Sequence, residues 1–310
     1  MSPLVIWPSV LGLSAFAGGL YMYRRDLLPS RTSGRARVLA LGPFFIAAAL
    51  ATFSGEHFTQ ARDFSRLVPT WLPLRLPITY LVGFCLLAAA LSFVTRRGMR
   101  WSAPLLALLF ALFVALLYVP SAMKNPGVRI VWIFPFREGT YAVGAFCVFA
   151  YEVQLARRSD RLALALRLWT AAVAIFFGLQ NILYPQFSPG VPDQRPTSAW
   201  VPLPHVLAYL TGAVLVAMGA AMLFRRTAVT AITVVGVLMT VLAIGLFGPD
   251  LILAQGVPQR VTAINFVADT LLFAGMMFAV ARAVAAQLEP TREAFAFESS
   301  SFVGPSLRQR

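Results

Sequence analysis

Lysine is almost missing from this chain: 25 of its 26 basic residues are arginine, the exception being Lys124. Acidic residues number only 12 in 310, and cysteine and histidine occur twice each. Cys85 and Cys147 both sit inside apolar runs and form no Cys-x-x-Cys pair. That argues against a redox or zinc site and predicts ordinary packing for both. No His-x-x-His spacing occurs, so no metal site is expected. The chain also lacks a nucleophile paired with a base, a glycine-rich phosphate loop and a dinucleotide fingerprint. Gly18-Gly19 reads as helix packing or a bend, not as a cofactor loop. What is present is apolar: hydrophobic residues make up 59% of the chain and charged ones 12%. A water-soluble core of this size could not hide that much apolar surface, so the chain is an integral membrane protein in a lipid bilayer. The net charge of +14 does not point to nucleic acid, because the arginines come in short clusters between apolar runs.

A span needs about 20 mainly apolar residues. Nine stretches qualify: about 4–22, 38–54, 77–95, 102–120, 139–155, 163–183, 204–224, 228–247 and 262–284. The second and fifth are short and carry polar residues at an end. The first lacks a positive N-terminal flank and is followed by Arg24 and Arg25, which anchors it as a span instead of a cleaved leader. With the N-terminus outside, 18 of the 26 basic residues fall on the inner side, so the expected topology is N-out, C-in in a cell (inner) membrane. Outer loops instead collect interfacial Trp71, Pro73, Trp200 and Pro202.

Sliding the chain by 129 positions lays Trp71-Leu72-Pro73-Leu74 on Trp200-Val201-Pro202-Leu203 and Tyr80-Leu81 on Tyr209-Leu210. The same offset matches Gly83 to Gly212, Arg96-Arg97 to Arg225-Arg226, Pro120 to Pro249 and Gly127-Val128 to Gly256-Val257. Apolar matches between spans mean little, but Trp, Pro, Tyr, Gly and paired Arg at one fixed offset predict an internal duplication. The expected fold is therefore all-α, a polytopic membrane bundle of about nine helices arranged as 1 + 4 + 4. The expected divisions are an N-terminal helix and basic inner loop (1–35), four-helix units at 36–160 and 161–286, and a polar, disordered tail at 287–310. An even number of spans per unit makes the repeat parallel, with small residues such as Gly212, Ala213, Gly219 and Ala220 allowing close helix approach.

The segment Gly55-Glu56-His57-Phe58, then Val68-Pro69-Thr70-Trp71-Leu72-Pro73 and Tyr80-Leu81-Val82-Gly83, resembles the DoxX-like (DoxX/DoxD) membrane family. The second unit follows the same pattern from Gly178 through Trp200 to Gly212, and the last helix, with Asp269 and Gly275, is similar to the final helix of such units. Family members usually have one four-helix unit, whereas this chain has two and an extra helix. The second unit also replaces the glycine–histidine element with Gly178-Leu179-Gln180-Asn181. Because one relative accompanies a thiosulfate–quinone oxidoreductase, the resemblance implies a non-catalytic membrane subunit or scaffold beside a redox partner, with quinone as a candidate ligand.

Ionisable side chains inside a bilayer are costly, so each asks for a reason. Asp269 falls about two turns into the last helix, and a shift of 131 places it on Glu138, so both terminal helices carry a carboxylate at one level. They form either a proton-handling or ligand-polarising pair or two carboxylates neutralised by arginine, with Arg137 beside Glu138. Glu56 and His57 end the second span, and His205 begins the seventh at the same face; an imidazole beside a carboxylate can hydrogen-bond a quinone. Two histidines at the membrane edge do not favour haem. Gln180 and Asn181 stand where Glu56 and His57 stand in the first unit, and interhelical hydrogen bonding is their simplest role. Glu152 is expected to meet Arg157 or Arg158. Glu56, His57, Glu138, Gln180, Asn181, His205 and Asp269 all fall in the outer half, where an outward cavity roofed by the Trp71 and Trp200 loops would gather them. The rival readings are a transporter or binding protein for a small hydrophobic molecule and, if Glu56, His57 and Asp269 meet, a membrane enzyme.

Overall fold

A computed structural model describes residues 2–28 and 33–301. Among them the chain is all-α, a bundle of nine long helices. These are α1 (Pro3–Tyr23), α2 (Gly34–Thr59), α3 (Arg75–Thr95), α4 (Met99–Lys124), α5 (Ile130–Glu152), α6 (Asp160–Leu183), α7 (Pro204–Met222), α8 (Ala228–Leu253) and α9 (Gly256–Ser301). Eight of them are long and apolar enough to cross a membrane. The exception is α5, where the stretch expected at 139–155 belongs to a helix that begins at Ile130 and stops at Glu152. Its Arg137–Glu138 pair lowers its apolarity, and both side chains are buried against protein. α9 reaches Ser301 and so runs through the start of the segment expected as a disordered tail; residues 302–310 lie outside the described residues.

The helix ends follow local chemistry. The Ser2 hydroxyl caps α1 just before Pro3, and Ser159 accepts from the Leu162 amide at the start of α6. α4 and α8 each contain a π-helical turn, at Val114–Tyr118 and Ala243–Phe247. Pro120 and Pro249 follow these turns by two residues and cannot donate to the carbonyl one turn back, so the helix widens instead of breaking. Leu74 and Leu203, ahead of α3 and α7, are both left-handed at φ 56° and 49°. Every one of these pairs stands at the 129-residue offset found in the sequence.

The core lies along α2 and the 256–287 part of α9, which are mostly buried, whereas α1, α3, α4 and α7 present most of their length outward. α9 packs on α2, α5 and α8, so the last helix of the second half sits inside the first half. That contact depends on glycine. A β-carbon on Gly275 would stand 2.9 Å from the Gly42 carbonyl oxygen, and one on Gly144 would stand 2.5 Å from Met276. α6 and α7 meet the same way, with the β-carbon position of Gly212 2.7 Å from the Gly178 carbonyl oxygen. Gly19 is pressed on Phe44, as its packing role predicts. Cys147 is buried in the core, but Cys85 faces outward on α3, so only one of the two packs as expected.

Candidate functional site

α2, α3, α4, α5 and α9, with the 60–74 connection, enclose a cavity of about 380 Å³. Its walls are apolar and aromatic: Phe53 from α2, Val82 and Leu86 from α3, Phe110, Phe113 and Leu117 from α4. The π-helical turn of α4 adds Tyr118. Val68, Pro69 and Leu72 cover one side, while Trp71 itself points away and is 67% exposed. The expected tryptophan roof is therefore a roof of that indole's neighbours.

The polar side of the cavity is built by α5, α9 and the end of α2. Arg137 donates to Asp269 at 2.9 Å and to Glu138 at 3.0 Å, with all three side chains at most 16% exposed. The Tyr141 hydroxyl donates to Asp269 Oδ1 at 2.8 Å. One helical turn before Asp269, Asn265 donates to Glu56 Oε2 at 3.1 Å. Glu56 Oε1 and Arg137 Nε are buried without a hydrogen-bond partner among the described residues. His57 sits 2.8 Å from the Phe53 carbonyl through Nδ1; a carbonyl only accepts, so Nδ1 carries the proton and Nε2 is an acceptor when the ring is neutral. The ring also lies against Phe64 at 4.8 Å.

Four of the seven candidate residues thus line one cavity: Glu56, His57, Glu138 and Asp269. Gln180, Asn181 and His205 do not. Asn181 donates to the carbonyl of Gly190 at 2.9 Å and accepts from its amide at 3.0 Å, pinning the 184–203 connection into the bundle. Gln180 accepts from Arg129, whose guanidinium also reaches the Pro192 and Asp193 carbonyls and lies over Tyr184 and Phe187. His205 is exposed. The common outer cluster expected from the sequence is accordingly two separate places, because the longer second connection folds inward. Ser188, Pro189 and Gly190 are buried, and Gly190 lies on Met239 and Leu242. Those two residues stand 129 positions after Phe110 and Phe113 of the open cavity.

The second connection carries its own ion pair. Asp250, 5% exposed, accepts from Arg195 and Ser198 at 2.7 Å each and from the Trp200 indole at 2.8 Å. This ties the loop to α8. Within the loop, burial pushes the Asp193 carboxyl above its ordinary value, against an opposing hydrogen bond from the Arg195 amide. The expected pairing of Glu152 falls on Arg157 and Arg158, whose side chains lie outside the described residues.

Arg137, Tyr141 and Asn265 are the contributors that sequence reasoning underweighted. Residues 137, 138 and 141 share one face of α5, and 265 and 269 share one face of α9, so helical spacing carried the signal. No group of three or more His, Cys, Asp or Glu among the described residues could hold a metal ion. No hydrogen bond joins Glu56 to His57 or Asp269 among the described residues, and each is engaged elsewhere. The fold and site define a multi-pass helical membrane protein with an apolar cavity over a buried ionic group. One family model matches, described as a domain of unknown function (DUF8561), over residues 46–130. That segment supplies the α2, α3 and α4 walls and ends before Arg137. Neither a curated protein nor a solved structure matches the chain.

Proposed function

We propose that this protein binds a small amphipathic molecule in the cavity of its first four-helix unit and acts through that binding rather than by catalysis. The observation that carries the reading is convergence: side chains from α2, α5 and α9, far apart in sequence, form one polar end of an otherwise apolar cavity. Its size and mixed lining suit a ligand with an apolar body and one polar group. An enzymatic reading is weaker, because Glu56, His57 and Asp269 are not hydrogen-bonded to one another.

Several finer readings belong to the same proposal. The element bounds and π-turns that recur at 129 residues support descent from a tandem duplication of a four-helix unit, as in the DoxX-like resemblance. On that resemblance the protein is a membrane subunit beside an oxidoreductase partner, with quinone as one ligand class. The arginine distribution supports an N-out, C-in orientation in a cell (inner) membrane, with the cavity toward the outer side.

The test is purification in mild detergent with mass spectrometry of co-eluting proteins and extracted small molecules, beside a Val82→Trp variant that fills the cavity. The wild type is expected to carry a stoichiometric amphiphile that the variant lacks. Identical small-molecule content in both proteins would count against the binding reading. Absence of an oxidoreductase partner would count against the redox assignment alone.

A further inference from the structure

The charges around the cavity do not balance. Glu56 on α2, Glu138 on α5 and Asp269 on α9 face one guanidinium, Arg137. α4 offers Tyr118, α5 adds Tyr141, and α3 contributes Thr79 with apolar residues; none of these brings a positive charge. His57 donates through Nδ1 to a backbone carbonyl, which suits a neutral ring. Arg137 already serves Glu138 and Asp269, so among the described residues Glu56 has no cation of its own. Asn265 satisfies one of its oxygens, and the other, Oε1, is buried without a partner among the described residues, on a residue that lines the cavity and is 2% exposed. Such a carboxylate asks for a donor or a positive charge. The same cavity is lined by the rings of Phe53, Phe110 and Phe113, and ring faces attract organic cations.

Resting on the ligand-binding reading above, we infer that the ligand is a hydrophobic amine, held by an ammonium N–H donated to Glu56 Oε1 with its apolar body among Phe53, Phe110 and Phe113. The unused acceptor at His57 Nε2 adds a second place for an N–H donor. A ligand whose polar group only accepts hydrogen bonds would leave Glu56 Oε1 as it stands.

The test uses the full-length protein in nanodiscs and three probes of one chain length, octylammonium, octanol and octanoate, with empty discs subtracted. Octylammonium is expected to bind about tenfold or more tighter than octanol, the scale of one hydrogen bond to a charged group. Glu56→Gln keeps an acceptor for Asn265 and should remove that preference. Octylammonium binding no tighter than octanol, tighter binding of octanoate, or a preference that survives in Glu56→Gln each overturns the inference, and octanol binding above empty discs leaves the ligand-binding reading standing. If no probe binds above empty discs and Val82→Trp changes nothing, the ligand-binding reading itself fails.

Discussion

Arg137 is the side chain on which most of the buried charge depends. It donates to Glu138 and Asp269 at once, and Tyr141 fixes the orientation of Asp269. Removing one partner of a buried ion group leaves the other charges uncompensated, which costs far more than the net worth of the pair. Arg137→Met should therefore lower stability by about 3–5 kcal/mol, read by thermal unfolding of the detergent-solubilised protein. A change within the error of the melt would show that the carboxylates find other partners. Asp193 offers an opposite case. Because burial holds its carboxyl above the ordinary value, the folded loop keeps its proton to higher pH than the unfolded chain does. Its contribution to loop stability is greatest below the ordinary carboxylate range and declines as pH rises through the raised value. Asp193→Asn should flatten that dependence, followed through the fluorescence of Trp200 on the same connection; a titration unchanged from wild type would refute it.

At the scale of elements, the glycines at the α2–α9 contact set how near two backbones come. A side chain on Gly275 has the Gly42 carbonyl and Ile46 in its way, and backbone cannot yield as a flexible side chain can. Gly275→Val is expected to cost about 1–3 kcal/mol and to loosen the cavity, since Asn265 and Asp269 ride on the same helix. Retained stability with unchanged ligand content would argue against this coupling. The helices themselves were legible in the sequence, because apolar run length is set by bilayer thickness and interruptions by Pro, Gly and Arg are local. Glu56, His57, Glu138 and Asp269 stood out for the same reason, as costly groups in apolar surroundings. Their convergence was not legible. It depends on α9 entering the first half of the bundle, a matter of long-range packing that no spacing encodes. Gln180 and Asn181 were grouped with them on the expectation that two units are equivalent, whereas residues 188–190 fold inward and engage Asn181. His205 was grouped by its level along the bundle, which says nothing of the direction it faces.

For the whole molecule, the two connections at 60–74 and 184–203 meet the helices beside them differently. Beside the first, apolar walls meet a polar end and leave a space; beside the second, the surface of α8 is covered by the loop itself, clamped by Asp250. Three polar residues of the cavity have apolar or weakly polar counterparts at the 129-residue offset: Phe266 for Arg137, Val267 for Glu138, Thr270 for Tyr141. The helix that the second half lends, α9, completes the cavity of the first. That loan has a consequence for synthesis. Arg137 leaves the ribosome 132 residues ahead of Asp269, so α5, the one long helix that falls short as a membrane span, is made with one of its two counter-charges still missing. The nascent first half must wait in an incomplete state, and a chain arrested before α9 would place a guanidinium in lipid with Glu138 alone to meet it.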